Sequence, residues 1–522
     1  MTDSPADSPV SPAGAPSTAG SPAPNRRAPA SGRSAPVTVL SALRSPRQLS
    51  REVLAGMVTT LALVPEVISF SIVAGVDPMV SLVASIVLAV AMSILGGRPG
   101  VVTAAAGSVA LVVAPLVREH GVEYVLPAVV LAGIVQVAFG LAGLARLMRF
   151  IPRSVMIGFV NALGILIFMA QVPHVIGVDW LAYGLFALTL AIVFVLPRFT
   201  RAVPSPLVAI VVVTAIAMIA GLAVPDVAGE GPLTGELPGI TPFLVPLDLS
   251  TLRIVWPTAL SVAFVGLMET LLTAKLVDEM TDTPSRKGRE SWALGVSNVL
   301  AGFYGGIAGC AMIGQTVLNV KTSGARTRIS TLVAGVFLLA LVTGLSEVMG
   351  RIPMVALAAV MMVVAVTTVD WRSLRPSTLR RMPVSETLVM TVTIAVVVAT
   401  GNLAYGVVAG VLLAMVLFAR RVAHVVSVER RAVDGGAGVR YEVDGPLFFG
   451  SSNDLVDRFA YADDPERVVV DLRRAQIWDA STVATLDSIE TRYRDHGSTV
   501  VFEGLDERSA RFHGRLTGRL GV

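Results

Sequence analysis

Apolar segments recur through most of the chain, separated by short polar or glycine-rich turns. A first set lies at about 52–72, 78–95, 101–117, 124–145, 153–171, 180–196 and 205–221. A polar, acidic stretch at 222–253 follows, with Asp226, Glu230, Glu236 and Asp248 set against Arg253. A second set lies at about 255–275, 288–304, 310–320, 328–348, 352–367, 384–400 and 402–421. Most of these segments approach the roughly 20 residues a helix needs to cross the hydrocarbon of a bilayer. Two are short, the third of each set, and both follow glycines.

The stretch Gly302 to Lys321, GFYGGIAGCAMIGQTVLNVK, contains five glycines, with only about half a membrane span of helix-forming residues after the break. Ala311 to Val320 therefore reads as a half-helix that starts inside the membrane. Residues 96–117, GGRPGVVTAAAGSVALVVAPLV, repeat the pattern, with a short helix from Ser108. Irregular backbone at membrane depth is tolerated only where protein buries it or where it lines a water-filled cavity. Upstream of each break an acid stands in an apolar helix: Glu66 in LALVPEVISF and Glu269 in VAFVGLMETLL. Interrupted segments at matching places in two halves point to the midplane site of a secondary transporter. Seven is odd, so the second set enters from the opposite side, as an inverted repeat.

Composition agrees with a polytopic membrane protein. Of 522 residues, 54% are hydrophobic and 15% charged, where soluble proteins carry about 25%. The mean hydropathy is +0.73. The formal charge of +4 fits basic loops better than a nucleic-acid surface. One cysteine, Cys310, excludes an internal disulfide and a cysteine-based metal cluster. No HExxH or GxxxxGK[ST] occurs, so neither a zinc hydrolase nor an ATP-driven pump is visible, and no cofactor is expected.

Residues 1–50 read as a disordered tail, rich in Ser, Pro, Ala and Gly, without the apolar core of a signal peptide. Its arginines put the N-terminus in the cytoplasm by the positive-inside rule. With that orientation the inward loops carry Arg98, Arg146, Arg149, Arg153, Arg198, Arg201, Lys275, Arg286, Lys287, Arg289, Lys321, Arg326 and Arg328. The last inward groups are Arg372, Arg375, Arg380, Arg381, Arg420 and Arg421. Outward loops carry Arg118, Arg253 and Arg351. The bias fits fourteen segments with both ends cytoplasmic, in a plasma (inner) membrane. Residues 51–430 thus form a transmembrane domain with repeats at about 51–221 and 255–421. After Arg431 the composition becomes soluble. Strands are expected at Val439–Val443, 467–472 and 499–505, with a helix carrying Val483, Leu486, Ile489 and Tyr493 and a last helix at about 507–518. This is a small α/β domain at 437–522.

Four stretches carry a resemblance to the sulfate permease (SulP/SLC26) family of anion transporters. LALVPEVISFSIVAGVDP is similar to the family's first-helix motif, which usually has Gln where Glu66 stands. AGSVALVV is similar to its third-segment motif, with Ser108 in place of proline. GGIAGCAMIGQTVLNVKTSGARTRIS resembles its tenth-segment signature, and VVVDLRRAQIWDAST resembles the core of a STAS domain. The resemblance implies a core domain from segments 1–4 and 8–11, a gate domain from segments 5–7 and 12–14, elevator motion between them, and a homodimer.

On this reading the anion lies between two half-helix N-termini, each worth about half a positive charge. Gly107, Ser108 and Val109 offer N–H groups from one side, Ala311, Met312 and Ile313 from the other. Ser108 and Gln315 add side-chain donors, and Glu66 stands nearby. Relatives often carry an arginine near Gln315. Two acids without a fixed cation repel an anion unless one takes up H⁺ or Na⁺. Glu269 is the coupling candidate: Thr273 lies four residues on, on the same face. With carbonyls near Gly309 these groups would coordinate Na⁺, or burial would favour a protonated Glu269. The family's eighth segment implies the same role for Glu269 and Thr273.

Blander readings apply elsewhere. Asn161 and Asn298 read as interhelical hydrogen-bond partners, and His174 as a surface group. Cys310 reads as a small residue at the break, and Gly401, Gly406 and Gly410 as packing glycines. Ser481 matches the serine that is phosphorylated in small soluble STAS relatives, but the simpler reading is an ordinary helix cap. The leading function is secondary transport of sulfate, bicarbonate or a dicarboxylate, H⁺- or Na⁺-coupled or by exchange. The alternatives are a nucleobase-type permease of the same architecture and a STAS-based membrane regulator with a cytoplasmic partner.

Overall fold

The computed structural model describes residues 38–143, 151–200, 204–231, 233, 239–246, 248–433 and 437–519. Most of the expected N-terminal tail, and Arg146, Arg149, Arg201 and Glu236, lie outside the described residues. Helices already stand within the stretch expected to be a tail ending at residue 50. Helix α1 spans Val39–Arg44, and α2 spans Pro46–Ala74 with proline in its first turn, where a missing N–H costs nothing.

The remaining elements of the first repeat are α3 (Pro78–Leu95), β1 (Thr103–Ala105), α4 (Gly107–His120), α5 (Val125–Leu141), α6 (Arg153–Gln171), α7 (Trp180–Val195) and α8 (Ser205–Ile219). The second repeat contains α9 (Leu249–Thr281), α10 (Lys287–Gly302), β2 (Gly309–Ala311), α11 (Ile313–Val317), α12 (Ile329–Gly350) and α13 (Met354–Thr368). The short α14 (Pro376–Leu379), α15 (Val384–Thr400) and α16 (Leu403–Ala423) complete it. Among the described residues, eight helices are long and apolar enough to cross a membrane, and the helices at Ser205–Ile219, Met354–Thr368 and Val384–Thr400 are shorter and apolar.

The helices sort into two bundles. In one, α12 packs on α2 and α3, α10 on α3 and α5, and α9 on α4 and α5. In the other, α15 packs on α6 and α16, α13 on α6 and α7, and α7 on α8. These are the segments expected for core and gate. Small residues bring the helices close. A Cβ on Gly295 would lie 2.5 Å from the carbonyl of Gly133, and one on Gly410 would lie 2.1 Å from Thr393 Oγ1. Gly406 packs likewise on Val397, but Gly401 does not pack. It takes φ +64° at the C-cap of α15 with open space around it, so it is a turn glycine.

Several loop arginines do more than bias orientation. Arg289 Nε donates to the carbonyl of Leu95 (2.7 Å) and Arg328 Nη1 to that of Ser93 (3.0 Å), so both cap the C-terminus of α3. Arg98 reaches Asp278 at 3.2 Å and the carbonyl of Thr283 at 2.9 Å. Glu290 accepts from the N–H groups of Gly97 and Arg98. The turn between α3 and β1 is thereby fixed to the ends of α9 and α10.

The C-terminal domain is a four-stranded sheet in the order β3-β4-β5-β6, with β3 (Ser427–Val433), β4 (Gly438–Leu447), β5 (Arg467–Ile477) and β6 (Thr499–Glu503). β3 runs antiparallel to β4, and the other neighbours are parallel. Helices α17 (Phe449–Val456), α18 (Ala480–Asp495) and α19 (Glu507–Leu516) cover it. Val483, Leu486, Ile489 and Tyr493 of α18 are fully buried against Val468, Val470 and Leu472. Beneath them the Asp464 carboxylate, wholly buried, accepts from the hydroxyls of Tyr441 (2.6 Å) and Tyr493 (2.5 Å) and pairs with Arg430 (2.7 Å).

Candidate functional site

The two glycine-rich breaks meet at the centre of the first bundle as a two-stranded antiparallel sheet. Thr103 faces Ala311, Ala104 faces Cys310 and Ala105 faces Gly309. Close approach demands the glycine: a Cβ on Gly309 would lie 2.3 Å from the carbonyl of Ala104 and 2.4 Å from Leu88. Because the strands are antiparallel, α4 and α11 leave the pair in opposite directions. Each starts at the sheet, so their N-termini face the same midplane region.

Buried backbone at this depth has to find partners. Asn298 of α10 supplies them to Gly309, accepting from its N–H at 2.8 Å and donating to its carbonyl at 3.2 Å. The same amide donates to Gln136 of α5 at 2.8 Å. Thr270 Oγ1 accepts from the N–H of Ala311, Thr316 Oγ1 from Val102 and Ser85 Oγ from Ala105, all near 3 Å. The N–H of Met312 donates to the carbonyl of Val102 at 2.8 Å. Small polar residues inside apolar helices were the signal for this frame. Of these residues the sequence marks Asn298, as an interhelical partner.

Glu269 of α9 is buried directly against the sheet. Its Oε2 accepts from the hydroxyl of Ser108, in the first turn of α4, and from the Cys310 thiol at 3.0 Å. One carboxylate oxygen thus ties the start of one half-helix to the strand that precedes the other. Ser108 Oγ and Cys310 Sγ are 3.7 Å apart. Cys310 is therefore a partner of the acid, not a filler at the break. Thr273 lies one turn on and donates to the carbonyl of Glu269 at 2.8 Å. Glu66, beside Pro65 in α2, is partly exposed and hydrogen-bonded to Gln315 of α11.

The expected donors are only partly available. The N–H groups of Ala311 and Met312 are bound to Thr270 and Val102, and that of Val109 bonds to the carbonyl of Ala106 at 3.2 Å. Gly107, Ser108 and Ile313 stand at N-terminal positions whose N–H groups lack intrahelical acceptors. The carbonyl of Gly309 already accepts from Asn298, which leaves one lone pair. The second half-helix is also shorter than Ala311 to Val320. α11 ends at Val317, and Leu318–Thr322 form a π turn. Asn319 in that turn donates to the carbonyl of Gly100 (3.0 Å) and to Ser330 Oγ (3.1 Å), which draws the ladder out of α-register. Room remains at the start of α11: a Cβ on Gly314 would meet nothing within 4 Å.

Other predicted residues sit elsewhere. Asn161 joins α6 to the α13–α14 turn through Ser373 (3.0 Å) and the N–H of Asp370 (2.8 Å). His174 ends a short turn after α6. In the C-terminal domain Asp479 caps α18, accepting from the N–H of Thr482 at 3.1 Å. Ser481 is therefore not the cap; it is exposed in the first turn, next to that helix start. Among the described residues no group of three or more His, Cys, Asp or Glu could hold a metal ion.

Two inverted seven-segment repeats around paired intramembrane breaks, with a buried acid between them and a small α/β domain behind, define a polytopic membrane transporter. Residues 49–184 and 178–393 match the Sulfate permease family, and residues 430–516 match the STAS domain. The chain belongs to that family, whose members are transporters and not enzymes. It is 49% identical over 459 residues to the "Putative sulfate transporter YbaR" of Bacillus subtilis (strain 168), covering 88% of this chain and 95% of that protein. It is 24% identical over 482 residues to the bicarbonate transporter BicA of Picosynechococcus sp., covering 82% and 83%. Its fold matches the murine Solute Carrier 26 family member A9 anion transporter in the inward-facing state, with a TM-score of 0.77 at 17% identity, over 90% of this chain and 87% of that one. The transmembrane domain of a cyanobacterial BicA matches with a TM-score of 0.61 at 24% identity, over 70% and 97%.

Proposed function

We propose that this protein carries sulfate or bicarbonate through the membrane together with a proton, with Glu269 as the proton carrier. The observation that carries the reading is the clasp of Glu269 Oε2 by Ser108 and Cys310. A serine hydroxyl can donate or accept. It donates to the ionised carboxylate. When Glu269 takes a proton, the acid becomes the donor, and the serine hydrogen is released toward the open space between the half-helices. Protonation would thus remove a negative charge and supply a donor for an anion in one step. Na⁺ coupling has less behind it, because the Gly309 carbonyl already accepts from Asn298 and the Thr273 hydroxyl is turned to the carbonyls of Glu269 and Ala311.

The anion would lie at the first turns of α4 and α11, near Ser108, Ile313, Gly314 and Gln315. Glu66 then stands behind Gln315, orienting its amide so that an N–H can face the substrate. Motion of the α2–α5 and α9–α12 bundle against the other, in a homodimer with both termini cytoplasmic, would expose this place to each side in turn. The family match favours an anion over the nucleobase reading.

Uptake of labelled sulfate, bicarbonate and succinate into proteoliposomes under imposed pH or Na⁺ gradients tests the proposal. Uptake of sulfate or bicarbonate driven by a pH gradient and lost in Glu269→Gln supports it. Uptake driven only by Na⁺ overturns the coupling, and absence of all uptake leaves a regulatory role for the STAS domain.

A further inference from the structure

The STAS domain carries a basic cleft of about 770 Å³ that transport does not use. Arg508, Arg511 and Arg515 of α19 line one wall, and Trp478 at the end of β5 lines the other. It opens where β6 has parted from β5: their pairing stops at Asp471 and Glu503, while β5 continues to Ile477 beside β4. Asp506 is the acid in the lining, and its carboxylate is engaged with the N–H of Ser509 at 2.7 Å. Arg511 pairs with Glu507 at 3.3 Å. Arg508 and Arg515 have no ion pair among the described residues. Three arginines against one acid in the lining leave the cleft positive.

Its place in the fold says what it meets. α16 ends in Arg420 and Arg421, and three residues after it β3 begins. Gly445 of β4 lies against Val425 and Val426 of that link, so the C-terminal end of β4 is at the level where the chain leaves the membrane helix. α17, which follows β4, touches α16. Leu447 pairs with Ile477, which carries the end of β5 and Trp478 to the same level. Trp478 is 57% exposed and Phe449 is 68% exposed, and both rings pack on Phe448. Exposed aromatic rings beside a cluster of arginines, next to the end of a membrane helix, are the composition of a bilayer interface.

We infer that this cleft binds the phosphodiester head group of an anionic phospholipid in the leaflet beside the STAS domain, with the arginines on the phosphate and Trp478 at the glycerol level. The planar guanidinium fork suits phosphate oxygens. Anchoring there would hold the STAS domain at the membrane surface while the core bundle moves.

The test uses the full chain in nanodiscs of one mixture of phosphatidylglycerol and phosphatidylcholine. Bromine near the glycerol end is placed on one lipid or on the other. The Trp478 signal is the wild-type emission minus that of W478F. Brominated phosphatidylglycerol is expected to quench it more strongly than brominated phosphatidylcholine, and R508Q/R511Q/R515Q is expected to abolish the difference. Each arginine removed alone should lower the preference about fivefold, as about 1 kcal/mol per basic residue at an anionic surface implies. Equal quenching by the two lipids, or a preference that survives the triple variant, overturns the inference. A Trp478 response to inorganic pyrophosphate that brings no lipid preference with it also overturns it, by assigning the cleft to a soluble phosphate ligand.

Discussion

Cys310 Sγ donates to Glu269 Oε2 across 3.0 Å, from the strand that starts one half-helix to the acid of the long helix behind it. The contact comes from register: Ala104 faces Cys310, so the Cys310 side chain meets α9 next to Ser108. It gives the break a chemical role as well as a shape. Cys310→Ala keeps a small residue and removes one donor to the carboxylate. A thiol is a weak donor, and its bond to the carboxylate contributes about 1 kcal/mol, so uptake should fall about fivefold with the fold intact. Cys310→Ser restores a donor and should recover most of the loss. Proteoliposome uptake with a parallel thermal-stability assay checks both.

Asn298 serves three partners at once, the N–H and carbonyl of Gly309 and the Oε1 of Gln136. Asn298→Ala strands all three in a buried place, at about 1–3 kcal/mol for each unsatisfied group. The variant is expected to unfold at lower temperature in detergent and to lose transport. Asn298→Leu should fare no better, since filling the volume does not satisfy the groups. A stability equal to wild type in either variant would show that the strand pair holds without this amide.

Two glycines close in sequence should behave in opposite ways. Gly309→Ala forces a Cβ within 2.4 Å of both Ala104 and Leu88 and is expected to prevent folding. Gly314→Ala meets nothing within 4 Å and improves helix propensity by about 1 kcal/mol. The latter should fold at least as well as wild type yet bind anion more weakly, because its methyl enters the proposed anion space. A raised half-saturation concentration with unchanged stability is the expected pattern.

In the STAS domain, burial and the Asp464 carboxylate push the Tyr493 hydroxyl far above the usual tyrosine range, and burial, followed by the same bond, raises Tyr441. Both stay protonated in the fold, whereas unfolded tyrosines ionise near pH 10. The unfolded state therefore binds fewer protons at high pH, and stability should fall as pH rises above about 10. Tyr493→Phe should lower stability by about 1 kcal/mol at neutral pH and flatten the alkaline decline. Asp464→Ala should cost more, since it leaves two buried hydroxyls and Arg430 without their acceptor. Scanning calorimetry of the full chain over the alkaline range measures all three.

Much of this was legible in the chain. The segments at 78–95, 153–171 and 384–400 coincide with α3, α6 and α15, because Asp77-Pro78, Pro152 and Pro383 mark helix starts that hydropathy alone leaves loose. The paired breaks and their acids were legible because glycine runs at membrane depth have few other uses. The strand pair inside the breaks was not, since three residues of Gly, Ala, Cys or Thr show no alternation. The roles of Cys310, Thr270 and Thr316 depend on that register and were hidden with it. β3 was not expected, because the change of composition at Arg431 puts the boundary between the two domains inside Ser427–Val433. The π turn at Leu318–Thr322 follows from tertiary bonds of Asn319, which no local pattern encodes.

The most direct test of the central claim follows protons and sulfate together. Proteoliposomes with a pH-sensitive dye trapped inside are given external sulfate at equal pH and zero membrane potential. Protons are predicted to enter with sulfate, acidifying the lumen, and Glu269→Gln is predicted to abolish acidification while sulfate exchange between two sulfate-loaded compartments persists. Sulfate entry without lumenal acid in the wild type, or unchanged acidification in Glu269→Gln, would contradict the assignment of Glu269 as the proton carrier.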